Sequence, residues 1–189
     1  MEQATEAEYI KRAKRGDKEA FVTLINAHKA LVYHLALGIL KDRQEAEDLT
    51  QEVFIRVYEN LRFFRGESRF SVWLSKVAYN MSLNRLKALK RLPLAMEEEN
   101  LMTAGLLDEA TNSPLSEIEE KERREILSEA FSRLPGIYQL PLMLRYMQGF
   151  SVSEVADILN LPQGTVKTRL ARARNILRRK LARFRPEEL

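Results

Sequence analysis

The sequence predicts an all-α protein: two small helical domains joined by a flexible linker, the C-terminal one containing a helix-turn-helix. Three observations carry this. First, capping boxes recur at Thr5 to Glu8, Asp42 to Glu45, Ser116 to Glu119 and Ser151 to Glu154. In each, a side-chain oxygen takes an orphan amide and a glutamate three residues on returns the contact, and each opens an apolar period of about 3.6 residues. Second, the alternation expected of strands is nearly absent. Third, the period is lost from about residue 91 to Pro114, where Glu97, Glu98 and Glu99 lie between Pro93 and Pro114, which is the composition of a linker. The expected boundaries are 1–90, a linker at 91–115, and 116–185.

The first helix is expected from about Thr5 to Arg15, stopping at Gly16. A long second helix follows from Asp17 with Phe21, Leu24, Ile25, Leu31, Val32 and Leu35 facing inward. A third, about Arg43 to Leu61, buries Leu49, Val53 and Val57, with Phe54 and Tyr58 at its flank. The loop Arg62 to Arg69 leads to a fourth helix from near Ser71 that carries Trp73, Leu74, Val77, Ala78 and Met81. In the second domain Pro141 is tolerable early in a helix that starts around Tyr138.

Charge and composition narrow the function. The chain has no cysteine, so disulfides, thiolate metal sites and a thiol nucleophile are excluded. His28 and His34 are six apart and point away from each other on a helix, and no metal-ligand spacing or nucleophile–base pair appears. No cofactor, metal, small-molecule substrate or enzymatic activity is expected. The apolar run Ala30 to Leu40 falls well short of the roughly 20 residues that cross a bilayer, and the N-terminus carries acids where a secretory signal carries bases. A cytoplasmic protein without direct membrane insertion is expected. Charge is uneven: 16 basic against 12 acidic residues over 1–90, 5 against 11 over 91–140, and 10 against 4 over 141–189. Two nucleic-acid-facing parts separated by a segment that avoids phosphates fit this pattern.

The stretch SVSEVADILNLPQGTVKTRLARARNILRRKL, Ser151 to Leu181, carries the helix-turn-helix. Val155, Ala156 and Leu159 pack its first helix, Asn160 takes the left-handed conformation of the turn, and Val166, Leu170, Ala173 and Leu177 share the buried face of the second. The opposite face holds Thr168, Ala171, Arg172, Asn175 and Arg179, with Lys167 at its edge and Thr165 in the first turn. The early turns of a recognition helix meet base edges and later basic residues meet phosphates. Lys167, Thr168, Ala171 and Arg172 are therefore assigned to bases, and Arg174, Arg178 and Arg179 to the backbone. The competing reading is a terminal amphipathic helix with a solvated basic face.

In the front half, AEDLTQEVFIRVYENL (Ala46 to Leu61) sets Asp48, Gln51, Glu52, Ile55 and Glu59 on one stripe opposite the core. An isoleucine among acids suits docking to a basic partner, and also suits a merely solvated face. Between Phe63 and Lys87, aromatics alternate with basic and amide residues around a glycine-bearing loop. Stacking faces beside cations suit unpaired bases. Trp73 reads as core; Phe63, Phe64, Arg65, Ser68 and Asn80 are the candidates to meet an extruded base, against the alternative of core packing.

Three blocks, EAEDLTQEVFIRVYENL, FRGESRFSVWLSKVAYN and LRYMQGFSVSEVADILNLPQGTVKTRLARAR, resemble the successive regions of bacterial extracytoplasmic-function sigma factors of the sigma-70 family. The resemblance implies the minimal two-domain form and a subunit that directs core RNA polymerase to promoters, touching clamp and flap. It implies that Asp48, Gln51, Glu52 and Ile55 dock on the polymerase. It implies that Phe63, Phe64, Arg65, Gly66, Glu67, Ser68 and Asn80 melt and read the single-stranded minus-ten element. Thr165, Lys167, Thr168, Ala171, Arg172 and Arg174 would read the duplex minus-thirty-five element. The linker would run toward the RNA exit path, and a stress or envelope response under an anti-sigma factor is implied. Two departures stand out: Gln139 lies near a frequent arginine, and Glu67 replaces a frequent aspartate or asparagine.

The alternative function is a dimeric helix-turn-helix regulator acting without polymerase docking. It predicts palindromic sites and leaves the loop and acidic stripe without a role. A decoy that only sequesters an inhibitor would not need the basic recognition helix.

Overall fold

The structure, a computed structural model, describes residues 3–91, 127 and 129–181. The chain divides into two compact units, Met1–Ala95 and Met96–Leu189. All regular structure among the described residues is helical. Most of the expected linker and the capping box at Ser116 lie outside them.

In the first unit, α1 (Gln3–Lys14), α2 (Lys18–Leu40), α3 (Arg43–Asn60) and α4 (Phe70–Arg91) form a bundle, with a single 3₁₀ turn, Leu61–Phe63, after α3. α1 is described from Gln3, two residues before the expected start at Thr5. Gly16, at φ +93°, supplies the left-handed turn that separates α1 from α2. Asp17 then caps α2 by accepting from the Ala20 amide at 3.1 Å, and Asp42 caps α3 by accepting from the Glu45 amide at 2.9 Å.

The core is built at the meeting of α2, α3 and α4. Val32, Leu35 and Ala36 from α2, Val53 and Val57 from α3, and Leu74 and Ala78 from α4 are fully enclosed. Burying each large aliphatic side chain contributes about 1.5–3 kcal/mol. Phe54 is also buried, whereas Tyr58 stays exposed with its ring 4.9 Å from Phe21. By length and composition alone α2 could cross a bilayer. Eleven of its residues are instead buried in the bundle. Both histidines have packing roles: His28 Nε2 lies 2.7 Å from Glu6 Oε1, and the His34 ring lies 5.5 Å from that of Tyr33.

In the second unit, helical residues 129–132 precede α5 (Gly136–Leu142), which passes into one wide turn of π geometry, Met143–Met147. α6 (Val152–Leu159) and α7 (Gln163–Leu181) follow. α5 starts two residues earlier than Tyr138, behind Pro135, whose carbonyl accepts from the Tyr138 amide at 2.8 Å. Pro141 therefore sits in its second turn, where it cannot donate to Ile137, and the wider turn begins two residues later. Gln139 is buried and donates through Nε2 to the carbonyls of Phe131 (3.1 Å) and Ser132 (2.9 Å), closing the C-terminal end of the preceding helix.

Candidate partner and nucleic-acid interfaces

The acidic stripe of α3 stands opposite a closed core. Leu49, Val53 and Val57 are buried, while Asp48, Gln51, Glu52 and Ile55 are exposed, Ile55 at 61%. Spacings of three, four and seven residues put Asp48, Gln51, Glu52 and Ile55 on one face. Gln44 Nε2 donates to Asp48 Oδ1 at 3.2 Å. Glu52 is engaged within the unit: Arg85 on α4 donates Nη2 to Glu52 Oε1 at 2.6 Å and Nη1 to Glu45 Oε2 at 2.8 Å. The hydrogen bond from Glu52, then that from Glu45, raises the Arg85 pKa above its ordinary value. Arg85 carries no signal in the sequence, because a basic residue on a helix reads as solvated until its partners on another helix are known. Tyr58, three residues beyond Ile55 and 43% exposed, extends the apolar part of this face.

The loop before α4 separates anchored from free residues. Phe63 is 61% exposed, with the Arg62 guanidinium 4.6 Å from its ring centroid. Arg65, Gly66, Glu67 and Ser68 are exposed, and Gly66 sits at φ +77°, a conformation that strains other residues. Arg65 and Glu67 approach at 3.9 Å, but both are about four-fifths exposed, so the pair contributes little. Phe64, expected among the residues that meet a base, is buried, with its ring 5.5 Å from Phe70 and 5.3 Å from Trp73, and so it anchors the loop. Trp73 belongs to the same aromatic cluster. Asn80 is exposed ten residues into α4, about 15 Å along the axis from Phe70.

The helix-turn-helix is built as its sequence implies. Ser151 Oγ accepts from the Glu154 amide (3.1 Å) while Glu154 Oε2 accepts from the Ser151 amide (2.7 Å), completing the capping box of α6. Asn160 adopts the left-handed conformation at φ 51°, ψ 50°, and the Leu161 amide donates back to Ala156 at 2.9 Å to close the turn. Val166, Leu170 and Ala173 are buried, and Leu177 is half-buried. Lys167, Thr168, Arg172 and Arg174 are exposed, with Thr165 and Ala171 half-buried at the edges of that face. Thr168 Oγ1 donates to the Gly164 carbonyl at 2.9 Å, which leaves its lone pairs outward. Arg174 Nη1 donates to the Tyr146 hydroxyl at 3.2 Å, a contact made between elements and therefore invisible in the sequence.

Both units match known families. Residues 24–92 match Sigma-70 region 2, and residues 124–177 match Sigma-70, region 4. The chain is 34% identical over 177 residues to the ECF RNA polymerase sigma factor SigW of Bacillus subtilis (strain 168), covering 91% of this chain and 94% of SigW. It is 34% identical over 185 residues to the ECF RNA polymerase sigma-E factor of Escherichia coli (strain K12), with 95% and 96% covered. Two solved structures share the fold. CnrH in complex with the cytosolic domain of CnrY gives a TM-score of 0.61 at 21% identity, covering 94% of this chain and 97% of that one. The sigma factor RpoE in complex with the anti-sigma factor NepR from Bartonella quintana gives 0.65 at 20%, with 86% and 96% covered. Homologues of this kind are not enzymes. The all-helical fold and the match to both sigma regions thus belong to a subunit that binds core RNA polymerase and directs initiation at promoters: the chain is a member of the extracytoplasmic-function sigma factor family.

Proposed function

We propose the following division of labour. Residues 1–90 dock on core polymerase through Asp48, Gln51, Glu52 and Ile55, and read the opened minus-ten element through Phe63, Arg65, Gly66, Glu67 and Ser68. Asn80, some 15 Å along α4 from its start, serves a different nucleotide of the same strand. Residues 116–185 read the duplex minus-thirty-five element through Thr165, Lys167, Thr168, Ala171 and Arg172, with Arg174 on a phosphate. Residues 91–115 link the two. Each reading module is small and gains selectivity when polymerase holds both on one promoter, so that trapping unpaired bases offsets a duplex-opening cost of a few kcal/mol.

The observation that supports this most directly is exposure. Every assigned contact residue except Phe64 is exposed or half-exposed, and those on α3, α4 and α7 lie opposite a buried face of their own helix. A dimeric regulator acting without polymerase would leave the α3 face and the loop idle. Control by an anti-sigma factor that covers the docking face is part of the proposal; it is supported by the relatives' family and by the anti-sigma factor named in the RpoE complex. The protein acts in the cytoplasm, where the polymerase is.

In vitro transcription with purified core polymerase and a randomised promoter library tests the proposal. Arg172→Ala relaxes preference at one upstream base pair by about 1–3 kcal/mol. Asp48→Arg abolishes polymerase binding with helicity unchanged. An intact polymerase complex with Asp48→Arg would show that α3 does not dock there.

A further inference from the structure

We infer that Lys14, on α1, is the positioning residue of the minus-ten loop: its ammonium donates to the Phe64 carbonyl and lies 5.6 Å from the centroid of the Phe64 ring. This rests on the proposed role of the loop. α1 lies ahead of the segment that matches region 2, which begins at residue 24, and nothing in the proposed contacts uses it.

The geometry of Phe64 supports the assignment. Its amide donates to the Leu61 carbonyl at 3.1 Å and its ring is held by Phe70 and Trp73. Its carbonyl, the last backbone group before the free residues, is held by Lys14. The next fixed backbone group is the Arg69 carbonyl, which accepts from the Val72 amide at 3.1 Å. Arg65 to Ser68 therefore span two fixed points, and the direction in which they leave the first is set by the plane of the Phe64 peptide. Lys14 holds that plane from α1, outside the loop and its flanking helices.

α1 is itself fixed, so Lys14 acts from a rigid base. Arg12 Nη2 pairs with Asp17 Oδ2 at 2.7 Å, and Glu6 Oε1 meets His28 Nε2 at 2.7 Å. His28 in turn stands edge-on to Phe70 at 5.4 Å, so the same aromatic cluster touches α1's partner. Lys14 is solvent-exposed and its bond to the Phe64 carbonyl is part-buried. Removing the ammonium therefore loosens the loop at the cost of one part-buried contact, a small share of global stability. A pre-aimed loop captures an extruded base at lower entropic cost than a wandering one.

The experiment uses holoenzyme assembled from core polymerase and the full chain, carrying Lys14→Met, Lys14→Arg or the loop variant Glu67→Ala. Open-complex formation is followed on duplex promoters that differ at single minus-ten bases, with polymerase affinity, melting temperature and the salt dependence of promoter binding measured alongside. Lys14→Met should lower the rate on the preferred promoter about tenfold, the scale of one charged hydrogen bond. It should also shrink the discrimination between minus-ten bases, with polymerase affinity and melting temperature unchanged, and Lys14→Arg should restore most of both. If Glu67→Ala alters base preference and Lys14→Met does not, the Lys14 assignment is overturned while the loop reading stands. If neither alters it, both fall. A Lys14→Met effect that appears only as a salt slope smaller by about one, with base preference intact, would make Lys14 a phosphate contact and also overturn the inference.

Discussion

Arg85 joins α3 to α4 by gripping two carboxylates at once, and removing it should measurably loosen the first unit. Its contacts are 2.6 Å to Glu52 and 2.8 Å to Glu45, with side-chain exposures of 27%, 50% and 29% for Arg85, Glu52 and Glu45. At about 2.8 Å in bulk water the Coulomb term alone is roughly 1.5 kcal/mol per pair. Holding long side chains still and solvent screening reduce that, and exposed pairs usually net about 0.2–1 kcal/mol each. Two charge-assisted, partly sheltered contacts therefore suggest about 1–2 kcal/mol for Arg85→Met, which keeps a flexible apolar stem. With a urea dependence of about 2 kcal/mol per molar, the midpoint falls by roughly 0.5–1 M. The chain's one tryptophan, Trp73, sits in α4 of the same unit and reports the transition by fluorescence. In 1 M NaCl, where the screening length is about 3 Å, the difference should shrink. A double-mutant cycle with Glu52→Gln isolates the pair. A coupling energy near zero at low salt would refute the bridge as a stabilising contact, whatever the polymerase does with Glu52.

Gln139→Leu leaves the carbonyls of Phe131 and Ser132 without the donor they have now, and should destabilise the second unit by about 2–4 kcal/mol. Trp73 lies in the other unit, so hydrogen exchange of the α6 and α7 amides is the measurement. Ser75 Oγ is fully buried without a hydrogen-bond partner among the described residues; Ser75→Ala should be neutral or stabilising by up to about 1 kcal/mol, and a clear loss in urea unfolding would show that the hydroxyl has a use. The Asp17 carboxylate is held below its usual pKa by the Ala20 amide and then by Arg12. A depressed folded pKa gives stability that is complete above the unfolded value of about 3.9 and is lost as pH falls through the folded one. Asp17→Asn keeps a capping oxygen but not the charge, so the stability gap from the wild type should be present at neutral pH and close below about pH 4. A gap independent of pH would contradict this.

Local features were legible in the sequence because local chemistry decides them. Ser151 and Glu154 dictate a capping box wherever the chain goes, and Asn160 is among the few residues that enter the left-handed region without large strain. The buried faces of α3 and α7 follow from their period. What escaped the reading depends on tertiary neighbours. Phe64 and Phe63 are adjacent and chemically alike, yet one is buried among Phe70 and Trp73 and the other is 61% exposed; no periodicity operates in a loop to distinguish them. Arg85, Gln139 and Lys14 meet partners 33 to 40, 7 to 8 and 50 residues away, respectively. The start of α5 departs from the sequence expectation because a proline reads as a first-turn residue, whereas Pro141 stands in the second turn.

The pairing of Phe63 with Phe64 also shows how such a protein can keep its fold while its specificity changes. Stability depends on groups that are enclosed: Phe64 and Phe70 at the loop, Val166, Leu170 and Ala173 under the recognition helix. Selectivity is assigned to their exposed neighbours, Phe63 and Arg65 to Ser68 in one unit and Lys167, Thr168 and Arg172 in the other. Exposed substitutions away from caps and cores usually change stability by no more than about 0.5 kcal/mol, whereas one lost base contact changes discrimination by about 1–3 kcal/mol. The second quantity exceeds the first. If the proposed contacts hold, promoter preference is altered at these positions without approaching the unfolding threshold, provided the enclosed anchors are left in place.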